Sequence, residues 1–240
     1  MASDHTARLW DLVMRDLQQT LEGHMNSVCA VAFSPDGKLV ASSSYDKTVK
    51  IWNPATGVAL QMLDGHTNSA NAIAFSPDGK LLASGSGDGT VKLWDPATGI
   101  LIHTLDSTGW VCGVAYSPNG TLATSDNAVR IWDPATGDLQ QTLRGHTGLA
   151  FSPDGKLVAS GSSDNTIKPW DSATGDLQRT IEGYASCVNA VAFSPNSKLV
   201  ASGSSDNTIR LWDPTTGALR QTLKGNTCSV NIVAFSPDAG

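Results

Sequence analysis

His24, Ser42 and Asp46 supply the three side-chain types of a nucleophilic hydrolase: a hydroxyl, a base to take its proton, and a carboxylate to orient the base. The trio returns as His66, Ser84 and Asp88, and again as His146, Ser160 and Asp164. Repetition argues against catalysis, because a reaction needs its trio once. None of these serines sits in a G-x-S-x-G elbow between strand and helix. The DGK runs at Gly37, Gly79 and Gly155 read as hairpin turns entering strands, not as a GxxxxGK[ST] phosphate loop. The GSGDG of residues 85–89 lacks the strand-to-helix context of a dinucleotide site. No two histidines have metal-ligand spacing, and His5 and His103 stand alone as solvated or packed strand residues. The reading is therefore no catalytic, cofactor-binding or metal-binding residue, and no enzyme.

What must position these side chains is a repeat. A tryptophan followed by Asp or Asn recurs at Trp10, Trp52, Trp94, Trp132, Trp170 and Trp212, in steps of 42, 42, 38, 38 and 42 residues. A Ser-Pro turn recurs out of phase, at Pro35, Pro77, Pro118, Pro153, Pro195 and Pro237. Residues 65–105 predict four short strands, at 70–75, 80–84, 90–94 and 100–105, separated by SPDG, GSGDGT and DPATG turns. Four antiparallel strands in about 40 residues cannot bury both faces alone, so sheets must stack on one another. Radial stacking asks for small residues on the innermost strands, and Ala30, Ala32, Ala72, Ala74, Ala190 and Ala192 fit. No stretch between Gly/Pro punctuation reaches helix length, which excludes helical solenoids. The expected fold is an all-β propeller in one domain, residues 1–240. Its repeats fall at about 23–63, 65–105, 106–143, 145–181 and 183–223, with a composite of 225–240 and 1–21.

Composition narrows the ligand classes. Charged residues are 16% of the 240, below the roughly 25% of ordinary soluble domains. The net charge is −6 with no Lys/Arg cluster able to neutralise several phosphates, which disfavours nucleic acid and anionic membrane as direct ligands. No apolar run approaches the ~20 residues that cross a bilayer, and the N-terminal MASDHTARLWD has no signal-peptide pattern. Cys29, Cys112, Cys187 and Cys228 lie far apart, as small thiols in a reducing, cytosolic compartment would.

The GH opening, the SGS-x-D-x-T turn and the closing WD resemble the WD40 family across essentially the whole chain. That resemblance implies a hydrogen-bonded structural tetrad within each repeat. Carried over, the complete sets are His24, Ser42, Asp46 and Trp52; His66, Ser84, Asp88 and Trp94; and His146, Ser160, Asp164 and Trp170.

Departures from the repeat mark where the template does not dictate the residue. The third repeat lacks the tetrad histidine and shortens its second hairpin, but keeps Thr124, Asp126 and Trp132. It adds Trp110, which reads as a partner anchor or as filler for the deletion. The fourth loses four residues from its first strand and places Pro169 in its third, so it should be the weakest. Tyr184 and Asn226 replace the histidine in the fifth and sixth. The C-terminal segment carries a first-strand pattern and the N-terminal segment the third and fourth. Joined, they would close a ring of six with one thin blade; the alternative is a piece of a longer array.

A rigid propeller works by presenting surfaces. The resemblance implies partners docking on the loop-bearing face, where Tyr45, Asn68, Asn71, Trp110, Tyr184, Asn189 and Asn231 are the candidate contacts. The expected function is a cytoplasmic scaffold, adaptor or ligand-sensing propeller that binds proteins or peptides, a monomer within a larger complex. KLVASGSSDNTI occurs verbatim at Lys156 and Lys198, and such near-identity resembles the repeat arrays of fungal NACHT/WD40 incompatibility-type proteins. Alternatives are an adaptor propeller of mitochondrial fission on the cytosolic face of that organelle, which this chain resembles in generic motifs alone, and a partial or decayed array.

Overall fold

A computed structural model describes residues 5–10, 16–144 and 148–236. Among them are 21 strands and no helix, so no helix is long and apolar enough to cross a membrane. The first sheet holds β1 (Ala7–Trp10) and β2 (Leu17–Leu21). The second runs β3 (Val28–Phe33), β4 (Val40–Ser44), β5 (Val49–Trp52), β6 (Ala59–Leu63), and the third β7 (Ala70–Phe75), β8 (Leu82–Ser86), β9 (Thr90–Trp94), β10 (Leu101–Asp106). The fourth is β11 (Gly113–Tyr116), β12 (Leu122–Ser125), β13 (Ala128–Trp132), β14 (Leu139–Arg144). The fifth has β15 (Gly148–Phe151), β16 (Leu157–Gly161) and β17 (Ile167–Asp171), and the sixth β18 (Val188–Phe193), β19 (Val200–Ser204), β20 (Ile209–Trp212), β21 (Leu219–Leu223). These are antiparallel meanders of the propeller-blade type. They form two compact units, residues 1–114 with 134–138, and residues 115–133 with 139–240.

Side-chain oxygens fix the turns. In SPDG, the Ser34 hydroxyl donates to Asp36 at 2.7 Å and accepts the Leu39 N–H at 2.9 Å, while Gly37 takes φ 70°. Closing this turn at Leu39 delays the second strand, which is why β8 starts at Leu82 and not at residue 80.

Within each compact unit, neighbouring sheets hide apolar faces against one another. In the first compact unit, Ala41, Val49, Ile51 and Leu63 of the second sheet bury against Ala70, Ile73, Phe75, Leu82 and Trp94 of the third. In the other unit the same arrangement joins Ala159, Ile167 and Ile181 to Val188, Val191, Phe193, Val200 and Trp212. Where a second strand must accept the neighbour's entering valine, it carries glycine. A Cβ on Gly85 would stand 2.5 Å from Val111 Cγ1, and one on Gly203 2.5 Å from Val230 Cγ1. The second sheet carries Ser43 in the glycine's place, and the third then enters with Ala70 in place of valine, both fully buried.

Two sheet ends differ from the pattern of the others. Residues 228–236 carry the first-strand pattern but form no strand, so the composite repeat has no C-terminal strand in this structure. Elsewhere a first strand pairs with a second strand, and among the described residues none lies beside this segment. In the fifth sheet Pro169 pairs with Ala159 on one side but has no N–H to give on the other. Residues 177–181 accordingly meet β17 through two isolated bridges, Ile167 with Ile181 and Trp170 with Leu177, instead of a fourth strand. The Pro169 carbonyl still accepts Gln178 N–H at 3.0 Å.

Two outcomes follow from these contacts. Gly85→Ala should lower stability by about 1–3 kcal/mol through overpacking. Adding Val111→Ala should restore part of that loss, with a coupling of roughly 1 kcal/mol in a urea double-mutant cycle; additive losses would contradict the fit. Pro169→Leu should raise stability by about 1 kcal/mol, the worth of one ladder bond, and slow amide exchange at residues 178–181.

Candidate functional site

The Ser-His-Asp sets assemble, and their geometry tells what they do. In the second sheet, the Trp52 indole N–H donates to Ser42 Oγ at 2.8 Å. His24 Nε2 lies 2.7 Å from the same oxygen, and His24 Nδ1 lies 2.8 Å from Asp46 Oδ2. The ionised carboxylate only accepts, so Nδ1 carries the proton and donates to Asp46; Nε2 then accepts from the Ser42 hydroxyl. Every group donates one step toward the carboxylate, from indole through hydroxyl and imidazole. Asp46 gathers three further donors, the Met25 N–H at 2.8 Å, the Thr48 N–H at 2.9 Å and the Thr48 hydroxyl at 2.7 Å. The third sheet repeats this with Trp94 to Ser84 at 2.8 Å, Ser84 to His66 at 2.8 Å and His66 to Asp88 at 3.0 Å.

The arrangement is that of a hydrolase triad with its nucleophile sealed. Ser42 and Ser84 are fully buried, and an indole N–H caps each oxygen. No substrate reaches them. Burial lowers the imidazoles of His24 and His66 below their ordinary 6.5, against the pull of Asp46 and Asp88. Burial would raise the Asp46 carboxyl, but the donors from Thr48, Met25 and His24 outweigh it and bring it to about 2. Asp88 also stands at about 2, for the same balance of burial against its donors.

His146 lies outside the described residues. Its companions keep the pattern: Trp170 donates to Ser160 at 2.8 Å, and Asp164 accepts from Thr166 at 2.6 Å and Lys168 at 3.2 Å. Where the histidine is missing from the sequence, other groups take its place. Tyr184 is only 8% exposed; its hydroxyl sits 2.6 Å from Ser202 Oγ, which also accepts from Trp212 at 2.7 Å. Tyr184, expected on the docking face, is therefore a buried tetrad member. In the fourth sheet Trp132 donates to Thr124 at 2.8 Å, and Arg130 binds the buried Asp126 at 2.5 Å.

Arginine is what sequence reasoning missed. Two residues before the repeat tryptophan stand Lys50, Lys92 and Lys168 in the repeats with a histidine, and Arg130 and Arg210 in the third and fifth repeats, which have none. Arg210 stacks 4.2 Å over the Tyr184 ring and reaches Asp206 at 3.4 Å. Lys50 and Lys92 reach Met62 and Thr104 instead. A guanidinium is long and planar enough to span to the carboxylate when no imidazole does. The signal was present in the sequence as a Lys-to-Arg change that tracks the lost histidine.

The expected partner contacts divide. Asn71 Nδ2 donates to the Val111 carbonyl at 3.1 Å, and Asn189 Nδ2 to the Val230 carbonyl at 3.2 Å, so both tie one repeat to the entry of the next. Asn231 is exposed, with its Oδ1 3.3 Å from Asn189. Asn68 caps its own turn through Ser69 N–H at 2.8 Å and is exposed, as is Tyr45. Trp110 is 54% exposed, and its indole rests on Gly87 beside Asn68. A Cβ at Gly87 would lie 3.2 Å from the ring and 3.3 Å from the Asn68 amide.

The sequence profile described as WD domain, G-beta repeat matches residues 15–53, 57–95, 99–133, 137–171 and 175–213, most of the chain. The protein belongs to the WD40 family. The repeats matched are those whose tryptophans anchor the tetrads. Ribosome assembly protein 4 of Saccharomyces cerevisiae is 46% identical over 41 residues, 17% of this chain and 8% of that protein. That stretch is about one repeat long. WD40 domains generally mediate protein–protein interaction.

The tetrads make the fold acid-sensitive. The unfolded chain protonates histidine at its ordinary value, above the folded value, so it holds more protons in between. The stability this confers is complete above pH 6.5 and is lost as pH falls through the folded value; Asp46 and Asp88 add a second loss from about 4 to about 2. The urea midpoint should fall between pH 7 and pH 5, and fall less in the His24→Gln, His66→Gln double variant. A flat wild-type profile over that interval would contradict the assignment.

Proposed function

We propose that this WD40 protein is a non-catalytic scaffold that binds a protein or peptide through the surface around Trp110. The observation that carries the reading is the exposed Trp110 indole, supported from beneath by Gly87 and flanked by Asn68. Tryptophan brings a large amphipathic area at little entropic cost, and a ring already seated on backbone loses less on binding. It is also the sole tryptophan outside the repeat series, so no tetrad accounts for it. Protein binding agrees with the general role of the family and with a net charge of −6 that disfavours nucleic acid. A reducing, cytoplasmic setting fits the four cysteines, all free; burial raises the Cys29 thiol to about 11, which keeps it unreactive.

A photo-crosslinking residue placed at position 110 should capture a partner in cells. With that partner purified, Trp110→Ala should raise Kd at least tenfold while Tm changes by no more than about 2 °C. Unchanged affinity would refute the surface; a collapsed Tm would show that the indole is structural.

A further inference from the structure

Three loops of the first compact unit meet at Trp110: residues 64–69 between β6 and β7, residues 86–90 between β8 and β9, and residues 106–112 leaving β10. The third loop is pinned on both sides of the tryptophan. Ser107 N–H donates to the Gly89 carbonyl at 2.8 Å, and Val111 N–H to the Ser86 carbonyl at 3.0 Å. The Val111 carbonyl accepts from Asn71, and its side chain packs where Gly85 has no Cβ. The indole is thereby held over Gly87 with half its surface open. Ser27, Ser69, Cys187 and Ser229 hold the place of Trp110 in other repeats, one residue before the entering Val28, Ala70, Val188 and Val230. A small side chain is enough for the fold there.

The charges of these three loops have one sign. They contain the carboxylates Asp64, Asp88 and Asp106, and no lysine or arginine. Asp88 is committed to His66 at 3.0 Å. Asp64 and Asp106 are exposed, and among the described residues neither forms an ion pair. Lys92, on β9, is 9% exposed and turns its ammonium to Thr104 at 3.2 Å. The negative sign is not a demand of the repeat, because Arg144 and Lys224 hold the place of Asp64 and Asp106 later in the chain.

Elsewhere the protein shows what such groups hold. Arg210 lies 4.2 Å over the Tyr184 ring while reaching Asp206 at 3.4 Å, a guanidinium shared between an aromatic face and a carboxylate. Indole offers a cation a better face than phenol, and a rim of one charge draws in a segment of the other. We propose that the Trp110 surface binds a basic segment of its protein partner, with an arginine or lysine over the indole and Asp64 and Asp106 at the rim. This rests on the scaffold reading above and adds the partner's chemistry. An acidic segment would meet like charge at both carboxylates.

The test titrates the full chain with three fluorescein-labelled peptides, GSGRGRGSG, GSGLGLGSG and GSGEGEGSG. Fluorescence anisotropy should show saturable binding of the arginine peptide, at least tenfold tighter than the other two, and weakening several-fold as salt rises from about 50 to about 300 mM. Trp110→Ala should weaken that binding about fivefold or more. Asp64→Lys combined with Asp106→Lys, both at exposed positions, should invert the ranking in favour of the glutamate peptide at unchanged Tm. An unchanged ranking in that double variant would overturn the proposal. So would preference of the unaltered chain for the leucine or glutamate peptide, or no binding of the arginine peptide at about millimolar concentration. Mapping the partner segment crosslinked at position 110 separates this proposal from the reading beneath it. A segment bearing arginine or lysine at the crosslink supports the basic partner. One without either refutes it and leaves the Trp110 surface standing, and failure to capture any segment removes both.

Discussion

A buried indole must give its N–H to something, and in this protein it gives it to a hydroxyl on the neighbouring second strand. The bond is present in five sheets, to Ser42, Ser84, Thr124, Ser160 and Ser202, at 2.7–2.8 Å. It spans ten residues, or eight where the hairpin is shorter, and so fixes the register of second strand against third whatever happens beyond it. The partner of that hydroxyl varies between imidazole and phenol. The indole–hydroxyl bond is the constant, and the rest of each tetrad is one of several ways to complete it.

Completion matters because a half-satisfied buried network costs more than none. Where histidine is absent, the carboxylate would be left buried with fewer donors, and arginine meets it. Arg130 on Asp126 and Arg210 on Asp206 are two instances. Tyr184 adds a ring beneath Arg210, so that one substitution takes over the hydroxyl contact and another the charge. The repeats thus differ in composition while obeying one rule of polar satisfaction.

The all-β fold, the strand count per repeat and the tetrad partners were legible because turn residues and tryptophans recur at fixed intervals. Pro169 announced a weakened repeat, since a missing N–H is a property of the residue alone, but not that the fourth strand would be reduced to two bridges. The role of Tyr184 was not legible, because an aromatic near a loop reads as surface until its hydroxyl is seen on Ser202. The inter-repeat bonds of Asn71 and Asn189 were not legible for a related cause: turn-forming asparagines look alike, and only three dimensions show the carbonyls of Val111 and Val230 some 40 residues away. The C-terminal segment has strand propensity but forms no strand, because a strand is made by pairing and propensity alone does not report it.

The steric exchange between second strand and following first strand bears on how such a chain can be rearranged. Gly85 with Val111, Gly161 with Val188 and Gly203 with Val230 each lie within 30 residues of one another along the sequence, as do Ser43 and Ala70. The heritable module is therefore offset from the visible repeat: it begins after the SPDG turn and ends in the next repeat's opening strand. Recombination with breakpoints inside SPDG passes each matched pair on intact, so repeats can be gained or lost without creating a clash. A breakpoint between the two members of a pair, joining the serine-bearing repeat to a glycine-bearing one, would set glycine opposite alanine, or serine opposite valine, leaving a void or a collision.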